Sequence, residues 1–166
     1  MAGARVQALT ARLEKGRRKT HEILSALGAE AWDGCLYPPV RTPGRCGPPA
    51  WTVRDLLAHF VSAEEALRLI CQDTAVGGQG APEGFDFDAF NAYEQDRFRQ
   101  RTPPQLLEDV WQARQETLDW LGTLSEDDLD RVGRHPVLGQ VSLETMITAI
   151  YAHQLLHMRE LQAGRS

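Results

Sequence analysis

Cysteine is scarce in this chain of 166 residues, and long apolar runs and an excess of basic charge are missing altogether. The three cysteines, Cys35, Cys46 and Cys71, form no C-x-x-C pair. An odd count in a reducing compartment argues for free thiols rather than a disulfide frame. No stretch approaches the roughly 18 consecutive apolar residues of a membrane span. The opening segment "MAGARVQALTARLEKGRRKT" has no apolar core of a secretion signal. A cytoplasmic protein with no membrane partner is therefore expected.

Eighteen Lys and Arg stand against 23 Asp and Glu, a formal charge of -5. Such a balance exerts no long-range pull on polyphosphate. Two local basic groups, Lys15 with Arg17, Arg18 and Lys19, and Arg97 with Arg99 and Arg101, alternate with acidic or apolar residues at helical spacing. They read as solvated helix faces. Nucleic acid is not expected as a partner.

A hydrophobic content of 42% over this length suffices for one core and argues against two, so residues 1–166 are read as one domain. Val6, Leu9, Leu13, Thr20, Leu24 and Leu27 recur in steps that define a helical stripe from about Arg5 to Leu27, with Gly28 as its stop. "YPPVRTPGRCGPPAW" is too rich in proline and glycine for helix or central strand and is a long connection. A second helix starts at the capping residue Thr52 and carries Leu56, Leu57, Phe60, Val61, Ala63, Leu67 and Ile70 inward, until the glycines at 77, 78 and 80. A polar run from Asp88 to Arg101 predicts a shorter third helix. Thr102 followed by Pro103 opens a fourth with the stripe Leu106, Leu107, Val110, Trp111, Leu118 and Leu121. "SEDDLDRV" reads as a short helical turn, "GRHPVLGQVS" as a hairpin or irregular loop, and Ser142 starts a last helix reaching about Gln162. Four or five helices and almost no strand predict an all-α four-helix bundle with long crossing loops, whose sites are built by inward side chains of facing helices.

Chemistry concentrates in the last helix at "HQLLH". His153 and His157 stand four apart, one turn above the other on one face, together with Met146, Ile150 and Leu161. The pattern resembles the H-E-x-x-H signature of zinc proteases, but Gln154 occupies the glutamate position and cannot act as a base. His59, in "LLAH", lies on the apolar side of the second helix in line with Leu56, Ala63 and Ile70. Three neutral imidazoles from two helices suit a divalent transition metal with an open fourth position, the arrangement used for catalysis rather than structure. Core histidines hydrogen-bonded to neighbours would give the same pattern. Of the remaining histidines, His21 reads as a packing or surface residue, and His135, before a proline in a loop, is placed at a pocket mouth.

"PPAWTVRDLLAHFVSAEE" and "HPVLGQVSLETMITAIYAHQLLHMREL", with "FDFDAFNAYEQDRF" between them, resemble the DinB/YfiT-like four-helix bundle family over nearly the whole chain. The resemblance implies that His59, His153 and His157 bind nickel, zinc or iron, and that the protein is commonly a homodimer. It also implies a small-molecule substrate, since relatives include S-transferases that use low-molecular-weight thiols. Relatives that act as thiol-dependent isomerases carry a carboxylate where this chain has His153, so that activity is not among the implications. The family's DNA-damage name implies no DNA chemistry. The resulting expectation is a metal-dependent thiol S-transferase or hydrolase, in which the ion activates a bound thiol or water. Glu64, Asn91, Tyr151 and His135 are the candidate catalytic helpers. The alternative is a non-catalytic metal-binding stress or sensor bundle.

Overall fold

In the computed structural model, residues 3–34 and 51–163 are described. Five α-helices and one hairpin make up the described part: α1 (Ala4–Ser25), α2 (Val53–Ala75), α3 (Phe87–Phe98), α4 (Pro103–Leu121), β1 (Val132–His135), β2 (Gly139–Ser142) and α5 (Leu143–Ala163). Cys35, Cys46 and the proline-rich connection fall outside the described residues.

Local chemistry sets most helix starts. At α2 the Thr52 hydroxyl accepts the Asp55 N–H (3.2 Å) while the Asp55 carboxylate accepts the Thr52 N–H (2.8 Å), which satisfies two donors that a helix end leaves open. Asp86 Oδ1 caps α3 by accepting the Ala89 N–H at 2.9 Å, and Ser142 Oγ caps α5 by accepting that of Thr145. Helix α1 is different, because its N-terminal residue Gly3 has no side chain to offer. Glu126, far along the chain, supplies a carboxylate oxygen to the N–H groups of Arg5 (3.0 Å) and Val6 (3.3 Å). Gly28 does not end α1 as expected. The helix stops at Ser25, and Gly28, in extended backbone, instead precedes a 3₁₀ turn at Ala29–Ala31.

Helices α1, α2, α4 and α5 form the bundle, with α1 and α2 each packed on both α4 and α5, and α3 laid outside α2. One apolar cluster joins Leu24 at the end of α1, Val53 to Val61 at the start of α2, Leu106 to Ala113 at the start of α4, and Met158 and Leu161 at the end of α5. The other joins Val6 to Leu13, Cys71, Leu118 with Leu121, and Leu143 to Ile150, the opposite ends of the same helices. It follows that α1 runs parallel to α5 and α2 parallel to α4, so the bundle is not a simple up-and-down arrangement. Contact with three helices also explains why residues 56–64 of α2 are buried on every side, whereas the expected inner residues Leu67 and Ile70 are only half-buried.

A polar layer separates the two clusters. Arg114 of α4, 1% exposed, donates through Nε and Nη2 to both oxygens of Glu64 on α2 (2.6 and 2.7 Å). Its Nη2 also reaches Gln154 Oε1 on α5 (3.2 Å), and Nη1 reaches the Leu13 carbonyl on α1 (3.3 Å). One guanidinium thereby cross-links all four bundle helices. A buried cation is tolerated only when its fork of donors is filled in this way.

The hairpin pairs His135 with Gly139 and Val132 with Ser142. It is pinned to the loop after α2, where Arg134 donates its N–H to Gln79 and accepts that of Ala81 (2.8 and 2.7 Å). Gly80, at φ +81°, makes this approach possible, since a Cβ there would lie 2.5 Å from the Arg134 carbonyl oxygen. Strand alternation turns Gly133 and His135 inward and Val132 outward.

Candidate metal centre

His59 sits in the fully surrounded part of α2, and His153 and His157 stack one turn apart on the face of α5 packed against it. Their ring nitrogens converge. His153 Nε2 lies 3.0 Å from His59 Nε2 and 3.2 Å from His157 Nε2, and the three ligand atoms lie within 4.8 Å of one another. Among the described residues this is the one group of three or more His, Cys, Asp or Glu side chains with such geometry. The Trp51 ring packs on His59 at 4.9 Å between centroids and screens it from water.

Burial holds His59 down to about 3 and His153 to about 4, with His153 and His157 further disfavouring a proton on His59, and His157 one on His153. Both rings are neutral at physiological pH and present lone pairs. Glu160 Oε2 lies 2.9 Å from His157 Nδ1. A carboxylate there holds the proton on Nδ1 and turns the Nε2 lone pair toward the other two rings, as carboxylates behind metal-ligating histidines commonly do.

The donor set fits a cation. In its ring plane each Nε2 carries either one N–H or one lone pair. His153 Nε2 faces two neighbours, so with protons alone one of the two contacts is left without a donor or without an acceptor. Tetrahedral ligands at about 2.0–2.1 Å from a shared ion stand roughly 3.3–3.4 Å apart, close to the separations seen here. Three imidazoles from two helices can therefore hold a metal ion and leave a coordination position open.

The candidate helpers fall in different places. Asn91 of α3 acts on His59 and favours its protonated form, although His59 Nδ1 is buried with no partner in hydrogen-bond geometry among the described residues. Glu64 is committed to Arg114 in the polar layer. The Tyr151 ring packs over Gly16 of α1, where a Cβ would meet it at 3.0 Å, on the side of α5 away from His153. His21 is exposed and edges onto Trp111. His135 is buried on β1 and is, after His157, the next titratable neighbour whose protonation would disfavour a proton on His153. Residue reasoning did not single out Glu160, whose i,i+3 spacing from His157 was the available signal. It also missed Arg114, because an arginine in the middle of a polar-looking helix carries no mark of burial.

Fold and site together define a helical-bundle protein with a three-histidine centre on two facing helices. Residues 12–161 match the DinB superfamily, and the chain belongs to it. Among solved structures, YfiT from Bacillus subtilis, described as a probable metal-dependent hydrolase with an unusual four-helix bundle topology, superposes with a TM-score of 0.73 at 16% identity, covering 98% of this chain and 87% of that one. The mycothiol-dependent maleylpyruvate isomerase gives 0.70 at 16% identity over 94% of this chain, which spans 60% of that protein. The colibactin self-resistance protein ClbS, solved in complex with double-stranded DNA, gives 0.71 at 13% identity, covering 97% and 96% of the two chains. Likeness at these identities is likeness of fold. No curated protein matches the sequence.

The ClbS complex corrects one expectation. The acidic net charge predicts no nucleic-acid partner, yet a bundle of this fold is solved on duplex DNA. Net charge sums over the whole surface, whereas phosphate contact needs only a local arrangement of donors, so the sum cannot exclude it. No described helix is long and apolar enough to cross a membrane.

Proposed function

We propose that this protein is a metal-dependent enzyme, a hydrolase or a thiol S-transferase, with His59, His153 and His157 as the metal ligands. The convergence of three Nε2 atoms at 3.0 and 3.2 Å is the observation that carries the reading. Zinc, nickel and iron all accept such a donor set. A divalent ion bound there supplies Lewis acidity toward a water or thiol at the open position. Three neutral ligands leave its charge uncompensated, which favours an anionic fourth partner. Around it, Glu160 orients His157, Trp51 keeps solvent from His59, and Asn91 stands at the α3 side of the site. Cys71 is unsuited to act as nucleophile, because it is 1% exposed and burial pushes its thiol up to about 12. The nucleophile in this reading comes from outside the protein.

The test begins with metal analysis of tag-free protein. About one equivalent of a transition metal is expected in the wild type, and His59→Ala and His153→Ala are expected to lose it while remaining helical. Conjugation of a low-molecular-weight thiol to monobromobimane, and cleavage of activated esters, then measure turnover. His157→Ala is expected to abolish whichever activity the wild type shows. No metal in the wild type, with unaltered folding of the variants, sinks the site; stoichiometric metal without turnover on either substrate class favours a non-catalytic binding bundle.

A further inference from the structure

His135 is held in an unusual way for a buried histidine. Its Nδ1 accepts two backbone N–H groups of its own turn, from Val137 and Leu138, both at 3.1 Å. A proton on Nδ1 would face two donors, so the turn excludes both the imidazolium and the Nδ1–H tautomer. The one remaining form carries its proton on Nε2. That Nε2–H is buried, the residue being 6% exposed, and among the described residues no partner takes it. A buried donor left without an acceptor is costly, so such a group is commonly the partner of something that binds.

The hairpin determines where this donor stands. β1 lies against both α2 and α5, the two helices that carry the three convergent histidines; its alternation turns His135 inward, near enough to His153 for the two rings to influence each other's charge. Register is locked by the hydrogen bonds of Arg134 to Gln79 and Ala81, with Gly80 permitting the close approach. His135 does not join the three whose nitrogens all lie within 4.8 Å of one another. It is therefore a neighbour of the centre and not a fourth ligand.

We infer that the His135 Nε2–H is a preset hydrogen-bond donor for an oxygen of the ligand bound at the three-histidine centre, a carboxylate or a carbonyl that gains negative charge. The inference rests on the metal-site reading above and adds a ligand class to it: molecules with an oxyanion or polarisable carbonyl beside the group that approaches the three histidines. Because the ring is fixed by its turn, the donor needs no reorganisation when the ligand arrives, which is where preset donors gain their effect.

Acetate is the probe, on full-length protein loaded with zinc. In the wild type, the His135 Nε2 resonance in 15N-resolved spectra is expected to carry a proton before acetate is added and to shift as acetate saturates. His135→Phe is expected to bind zinc in the same stoichiometry and acetate roughly 10- to 100-fold more weakly, the usual effect of losing a hydrogen bond to a charged group. The wild-type resonance provides a result that does not depend on how well the variant folds. If zinc binds but the His135 resonance stays unmoved and the variant holds acetate as tightly, the donor role is overturned and the metal site survives. If the wild type binds no zinc at His59, His153 and His157, both readings fall together.

Discussion

Replacing Arg114 with methionine should be among the most destabilising single changes in this protein. Methionine keeps much of the length and apolar stem but removes the guanidinium. Glu64, 5% exposed, would lose both hydrogen bonds of 2.6 and 2.7 Å and remain a buried carboxylate with no counter-ion. Gln154 and the Leu13 carbonyl would lose their donor as well. Breaking one side of a buried pair typically costs about 3–5 kcal/mol, and no discount for solvent applies where both partners are buried. For a domain of this size that corresponds to a fall in Tm of roughly 6–20 °C. Urea unfolding of the metal-free protein, followed by far-UV circular dichroism, measures the loss directly. The double variant Arg114→Met with Glu64→Leu removes both charges, and it should be more stable than Arg114→Met alone because no charge is stranded. A single variant within about 1 kcal/mol of wild type, or a double variant no better than the single, would show that the polar layer is not a coupled buried pair.

Two further outcomes concern the histidines. In the metal-free protein His59 and His153 are held near 3 and 4 against an ordinary value of 6.5, so between those limits the unfolded chain binds more protons than the folded one. The stability of the neutral rings is fully present above pH 6.5 and is lost as pH falls toward 4 for His153 and toward 3 for His59, the His59 loss amounting to about 2 kcal/mol at pH 5; a urea midpoint that stays flat from pH 8 to pH 5 contradicts this. Glu160→Gln keeps the shape behind His157 Nδ1 but removes the charge, and should weaken zinc binding by roughly 10- to 100-fold in competition with a chromophoric chelator while leaving the helix content alone.

Sequence alone determined the features that depend on local periodicity and local hydrogen bonding. The α2 start at Thr52, the α4 start at Thr102 and Pro103, and the two-helix source of the three histidines were all legible, because caps, stripes and i,i+4 pairs act within a turn or two of the chain. Where the chain returns to itself, tertiary structure decided. With glycine at position 3, α1 needs Glu126, 121 residues beyond Arg5, as its cap, and Gly28 loses its expected role because the helix ends at Ser25. Glu64, Arg114 and Gln154 look like ordinary helix-surface residues one at a time, and only the assembled bundle makes them one buried network. The same holds at the centre. That His59 belongs with His153 and His157 could be suggested by their apolar faces, but the 3.0 and 3.2 Å separations, the carboxylate behind His157 and the locked tautomer of His135 arise from packing α2, α5 and the hairpin together. Spacing along a helix fixes which side chains share a face; only the meeting of faces fixes which atoms share a ligand.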